Sequence, residues 1–193
     1  MDKSTRCFGN NDQLMSEYHD NEWGVPLHDD RELFGLIILE GAQAGLSWRT
    51  ILHRRDAYRE AFADFNPEIV ATYKQGKLEK LEENSGVVRN KLKIASAVKN
   101  AQAFLAIQNE FGSFDKYLWA YVDYEPVMNS YSVWEDVPAE TALSTEISED
   151  LKNRGFSFIG PTIMYAYMQS VGMVNDHLIS CYRYKQILDE YGR

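Results

Sequence analysis

Tyr18-His19-Asp20-Asn21-Glu22-Trp23-Gly24 gathers a metal-capable imidazole, two aromatic rings and three carboxyl or amide side chains into one short stretch. Ahead of it stands Cys7, and far downstream His177-Leu178-Ile179-Ser180-Cys181 supplies a second His/Cys pair in the spacing H-x3-C. A structural zinc ion takes four sulfur or nitrogen ligands in a closed tetrahedron. A His and a Cys four residues apart also share one face of a helix, and Asn175-Asp176 is a suitable cap for one. The expectation is that Cys7, His19, His177 and Cys181 hold one structural Zn2+ that joins the ends of the chain, with His177 and Cys181 on a helix. The inventory favours this, because these residues use both cysteines and two of the four histidines, leaving only His28 and His53. Two alternatives stay open: buried cysteines acting as small hydrophobes beside surface histidines, and a disulfide, which needs Cα atoms within about 7 Å.

Outward from that stretch, the 193 residues read as a single unit able to bury a proper core, so a metal would act as a clasp and not as the foundation. A net charge of -9 excludes a protein coated in positive charge, and contact with nucleic acid would need a local basic face. One candidate runs from Lys74 to Lys99, where seven positive residues face three negative ones, although a solvated helix face has the same composition. No basic start leads into an apolar core, and no apolar run approaches the roughly 18 to 20 residues that cross a bilayer. A monomeric cytoplasmic protein with reduced thiols and no membrane partner is expected.

The periodicity is helical almost throughout. Asp29-Asp30 caps a segment apolar nearly all round, Leu33, Phe34, Leu36, Ile37, Ile38 and Leu39, which predicts a central buried helix running to Glu40. Ser47 caps a helix from Trp48 to about Phe62, and Asn66-Pro67 opens another. A longer helix is expected from about Arg89 to Glu110 with the stripe Leu92, Ile94, Ala95, Val98, Ala101, Phe104 and Leu105. Residues 123–137 lack a period and read as a long loop with a turn or a short extended piece. Helices resume from Thr145 to Gly155 and from Gly160-Pro161 to Val171, which makes 145–172 a helical hairpin.

Two features carry chemistry. Glu40 closes an apolar helix, so its carboxylate is either exposed at the helix end or lines a pocket where it must be paired. With Tyr18, Trp23 and Trp48 around it, a carboxylate could read the edge of a nucleobase stacked on aromatic walls, although those rings could equally fill a core. The turn Gly155 to Thr162 offers backbone N–H groups at a helix start, an anion site suited to a DNA phosphate; simple packing would look the same.

Arg6-Cys7, Tyr18 to Pro26, Leu39 to Trp48, Arg154 to Phe156 with Phe158 to Thr162, and Val174 to His177 with Cys181 resemble, in order, the DNA-3-methyladenine glycosylase I family. The resemblance implies an all-α helix-hairpin-helix glycosylase fold and a zinc clasp at Cys7, His19, His177 and Cys181. It also implies hydrolytic release of 3-methyladenine from alkylated double-stranded DNA. Glu40 would be the base-reading and catalytic carboxylate, Tyr18, Trp23 and Trp48 the base-binding aromatics, and Gly155, Phe158, Gly160 and Thr162 the anchor on the DNA backbone. Asn175 stands where most members of the wider superfamily use an aspartate, with Asp176 adjacent. The chain departs from the family near the site: Phe8-Gly9-Asn10 replaces a segment that usually carries a Trp, and Met15 replaces a Tyr. A binder of alkylated or distorted DNA without cleavage is the alternative those departures suggest, and a zinc hydrolase of unrelated substrate would need an open metal position.

Overall fold

Asp29 starts the helix against which much of the molecule is packed. Its carboxylate accepts hydrogen bonds from the backbone N–H of Arg31 and Glu32, both at 3.0 Å, and opens α2 (Asp30–Gln43). In this computed structural model, which describes residues 5–192, α2 buries Leu33, Phe34, Ile37, Ile38 and Leu39. The helix runs past Gly41 to Gln43, so Glu40 is an interior helical residue and is buried, not exposed at an end. The ammonium of Lys93 donates to the carbonyls of Ala42 (2.9 Å) and Ala44 (2.5 Å) at the C-terminus of α2, where a cation is favoured by the helix dipole. Lys93 is therefore committed to the fold, and the basic segment holds one cation fewer for phosphate.

Before α2 lies α1 (Gln13–Asn21), capped by Asp12. After it the expected helix from Trp48 divides at His53–Arg54 into α3 (Trp48–Leu52) and α4 (Arg55–Ala61). The Ser47 cap holds as expected, with Thr50 N–H to Ser47 Oγ at 3.2 Å. Next come α5 (Pro67–Val70), started by Asn66 and Pro67, and α6 (Gln75–Glu83). The long helix is α7 (Lys91–Phe111), closed by Gly112 at φ +88°. Its inner face is Ile94, Ala97, Ala101, Phe104 and Ile107. Leu92, expected in that stripe, is 69% exposed, and Ala95 is exposed as well. Each residue turns the helix by about 100°, so Leu92 lies about 200° from Ile94, on the far side.

A short α8 (Phe114–Trp119) packs on α2 and α7. The aperiodic loop contains β1 (Val127–Met128), which pairs in parallel with β2 (Val174–Asn175), Val127 opposite Val174. The hairpin follows as α9 (Ala142–Asn153) and α10 (Pro161–Ser170). The first of these starts ahead of Thr145 because Thr141 and Ser144 form a reciprocal capping box. It ends in a Schellman turn, Phe156 N–H to Leu151 O and Gly155 N–H to Lys152 O, both at 3.0 Å, with Gly155 at φ +103°. Asn100 of α7 pins the turn by bonding both the N–H (2.8 Å) and the carbonyl (3.0 Å) of Ser157.

The expected helix through His177 and Cys181 does not form. Asn175 does accept from His177 N–H (3.3 Å), as a cap would. But its carbonyl takes Asn129 N–H (3.3 Å), and Ile179 N–H donates to Tyr131 O (2.9 Å) instead of to a carbonyl four residues back. Pairing with the loop consumes the groups of the would-be first turn, and α11 begins only at Tyr182 (Tyr182–Tyr191). No helix among the described residues is long and apolar enough to cross a membrane.

Candidate functional site

Cys7, His19, His177 and Cys181 converge, with all four ligand atoms within 4.8 Å of one another. Cys7 Sγ lies 3.3 Å from His19 Nε2 and 3.4 Å from His177 Nδ1; Cys181 Sγ lies 3.3 and 3.6 Å from the same two atoms. Bond lengths of about 2.3 Å to sulfur and about 2.0 Å to nitrogen give a tetrahedron with S···N edges of roughly 3.5 Å, so the donor set fits zinc in spacing and type. The outer ring nitrogens are oriented as metal-ligating imidazoles require. His19 Nδ1 donates to Asp20 Oδ1 (2.9 Å), itself gripped by Arg6 through two bonds of 2.7 Å. His177 Nε2 donates to the Trp23 carbonyl (3.0 Å). Gly24, at φ +77°, makes that approach possible: a Cβ there would come within 3.2 Å of the His177 ring. Burial pushes the His177 imidazole below its usual value, which keeps it neutral and ligand-competent. A hydrogen bond from the Cys7 thiol and the nearby imidazoles hold Cys181 well below an ordinary thiol, while the same bond and burial push Cys7 up.

Next to this cluster a cavity of about 330 Å³ is lined by Tyr18, Trp23, Glu40 and Trp48, the residues read from the sequence as a base pocket, and by Phe8 and Met15. Tyr18 follows α1 inward and sets its ring 5.4 Å from that of Trp48. Phe8 stands edge-on to Trp23 at 5.1 Å. Glu40 Oε1 accepts from Ser170 Oγ (2.6 Å), which accepts from the Tyr18 hydroxyl (3.0 Å). Glu40 Oε2 is buried without a hydrogen-bond partner, and so is Trp48 Nε1. A buried acceptor and a buried donor without partners, on two residues that line one cavity, each cost free energy until something satisfies them. Burial raises the Glu40 carboxyl to about 7, with the Ser170 bond opposing the rise. Burial, and then the Glu40 charge, drive the Tyr18 hydroxyl well above its ordinary value, so it remains a donor.

Neither Asn175 nor Asp176 lines this cavity. Asp176 is buried and saturated by Asn129 (2.7 Å), Tyr165 (2.7 Å) and Gln169 (2.8 Å), while Asn175 holds His177 N–H and the Tyr184 carbonyl. Gly155, Phe158 and Gly160 on the α9–α10 turn and Thr162 in the first turn of α10 do not line this cavity, although Phe158 lies close to Gly41, next to Glu40. Phe158 sits at φ +57°, and no side chain caps the start of α10. The Thr162 hydroxyl donates to Glu140 (3.1 Å). Five residues of the cavity wall escaped the sequence reading: Gln43, Trp134, Ala166, Gln169 and Ser170. Ser170 is one small polar residue at the end of an apolar helix, and Trp134 lies in the loop without a period, where nothing but its size sets it apart from Tyr131 and Val133.

Residues 8–184 match the model of the methyladenine glycosylase family. DNA-3-methyladenine glycosylase of Haemophilus influenzae is 43% identical over 92% of this chain and 97% of its own length. DNA-3-methyladenine glycosylase 1 of Escherichia coli is 41% identical over 88% and 91%. The fold superposes on the Staphylococcus aureus 3-methyladenine DNA glycosylase I, in a structure describing 3-methyladenine recognition, with a TM-score of 0.89 at 38% identity over 93% and 96% of the chains. Fold, pocket and relatives define a helical DNA-repair hydrolase of N-glycosyl bonds. Within that class, the chain belongs to the methyladenine glycosylase family.

Proposed function

We propose that this protein extrudes 3-methyladenine from alkylated double-stranded DNA and hydrolyses its N-glycosidic bond, leaving an abasic site and free 3-methyladenine. The observation that carries the reading is the unpartnered Glu40 Oε2 in an aromatic-walled cavity. Methylation at N3 makes the base cationic, so cleavage of the bond to C1′ returns an electron pair that neutralises it, and water adds to C1′ of the sugar and gives up one proton to solvent. The base is a good leaving group already, and the protein needs mainly to find, flip and hold it, at an unstacking cost of a few kcal/mol that is least for a damaged base. Glu40 accepts from the base edge through Oε2, and the cation pulls its carboxyl back toward the ionised form. Tyr18, Trp23 and Trp48 supply the apolar faces, and neutral adenine is disfavoured for want of charge.

The four-ligand site is assigned to one structural Zn2+. With every position taken by protein, the ion would tie residues 7–19 to 177–181 and leave no position for a reacting water. The uncapped start of α10, with Gly155, Phe158, Gly160 and Thr162 on its turn, is the anchor for a phosphate of the DNA backbone, as helix-hairpin-helix proteins would use it. Residues 1–193 act as one functional unit and as a monomer, and the two free thiols suit the cytoplasm.

The test is release of free base from methylated duplex DNA by the zinc-loaded protein, beside Glu40→Ala and Glu40→Gln. Release of 3-methyladenine that collapses in both variants is expected. A folded wild type that releases none would remove the reading.

A further inference from the structure

We propose that Trp134 is a specificity-determining wall of the base pocket, carried by the loop between β1 and α9, whose indole face stacks on the extruded base. The inference rests on the glycosylase reading. The N-terminal segment contributes Phe8 and Met15 to the cavity wall. Trp134 lines the same cavity as Glu40 and brings a ring to it from the other half of the chain.

Its geometry is that of a platform. Trp134 is 38% exposed, against 7% for Trp23 in the same wall. Its ring is tilted by 56° to Trp23 at 6.1 Å and by 50° to Phe8 at 6.3 Å, so neither neighbour stacks on it. The indole N–H donates to the Cys7 carbonyl (3.0 Å). That bond consumes its only donor, so the ring can offer a base its π surface but no edge contact. The loop is also held from behind: Val127 N–H bonds Met173 O (2.9 Å), Ile179 N–H bonds Tyr131 O (2.9 Å), and Asn129 reaches Asp176 (2.7 Å). A ring oriented in advance at a pocket mouth loses little freedom when a base arrives. The competing explanation is a cover over Phe8 with no role in binding.

Titration of free 3-methyladenine into zinc-loaded protein, together with KM and kcat on methylated duplex, separates the two. Trp134→Ala is expected to weaken base binding about tenfold, on the scale of one lost stacking contact, and to raise KM with kcat nearly unchanged. Trp134→Phe restores most of the affinity; Trp134→Leu, bulky but without a π face, does not. Affinity unchanged in folded Trp134→Ala or Trp134→Leu, while Glu40→Gln loses it in the same assay, overturns the inference and leaves the glycosylase reading intact. A loss that Phe fails to restore overturns it too, because the bond to Cys7 and not the ring would then be at work. A wild type that neither binds nor releases the base removes both.

Discussion

The Cys/His cluster and the aromatic-walled cavity grow from adjacent residues of one helix, His19 and Tyr18, yet their polar atoms are in opposite condition. In the cluster both outer ring nitrogens have a partner, Asp20 or the Trp23 carbonyl, and the four inner donor atoms face one another. In the pocket Glu40 Oε2 and Trp48 Nε1 have none. On the proposed function, the saturated constellation would fix shape and the unsaturated one would take a ligand, a difference of hydrogen-bond completeness and not of residue type.

Metal removal should break the contrast most visibly. A structural ion present at a thousandfold its dissociation constant stabilises the folded state by about 4 kcal/mol, and a chelator should lower the urea midpoint accordingly, as should Cys181→Ser. A melt insensitive to both would mean that the cluster is not a clasp. On the pocket side, Glu40→Gln should lower kcat/KM for base release by about 100-fold, the usual effect of removing one positioned electrostatic partner, without lowering stability.

The same variant sharpens the comparison through pH. The Glu40 carboxyl rises from 4.5 to about 7 by burial, a penalty on the ionised form of about 3 kcal/mol. A carboxyl raised in the folded state contributes its full stability below its unfolded value and loses it as pH climbs through the folded one. The wild type should therefore lose stability between about pH 4.5 and 7, and Glu40→Gln, lacking that loss, should be the more stable by about 2 kcal/mol at pH 8. Parallel urea midpoints at the two ends of this window would contradict it. The smallest effect concerns Ser170→Ala. Ser170 donates to the ionised carboxylate, so its removal should move the rising limb of kcat/KM upward by about one pH unit.

Much of the site was legible in the chain. Both cysteines and two histidines pointed to one cluster by inventory, and Glu40 at the end of an apolar run had to be either exposed or paired. Capping chemistry located the starts of α2, α3 and α5, because a cap is a local hydrogen bond between near neighbours. Illegible were the features that depend on a distant partner. His177 to Cys181 is a turn because the loop carrying β1 takes its backbone groups, and Ser170 matters only because α10 brings it to Glu40 of α2.

The sequence by itself determined the helical character, the four residues of the Cys/His cluster and a glutamate at the end of an apolar run. These follow from residue type and short-range period, which the chain carries whatever its path. Only the tertiary structure decided that Glu40 is buried with one oxygen unpartnered, that Trp134 from the loop after β1 joins Phe8 in the cavity wall, and that Asp176 is spent on its neighbours. Burial and saturation are properties of what surrounds an atom, and here the surroundings come from segments more than a hundred residues apart.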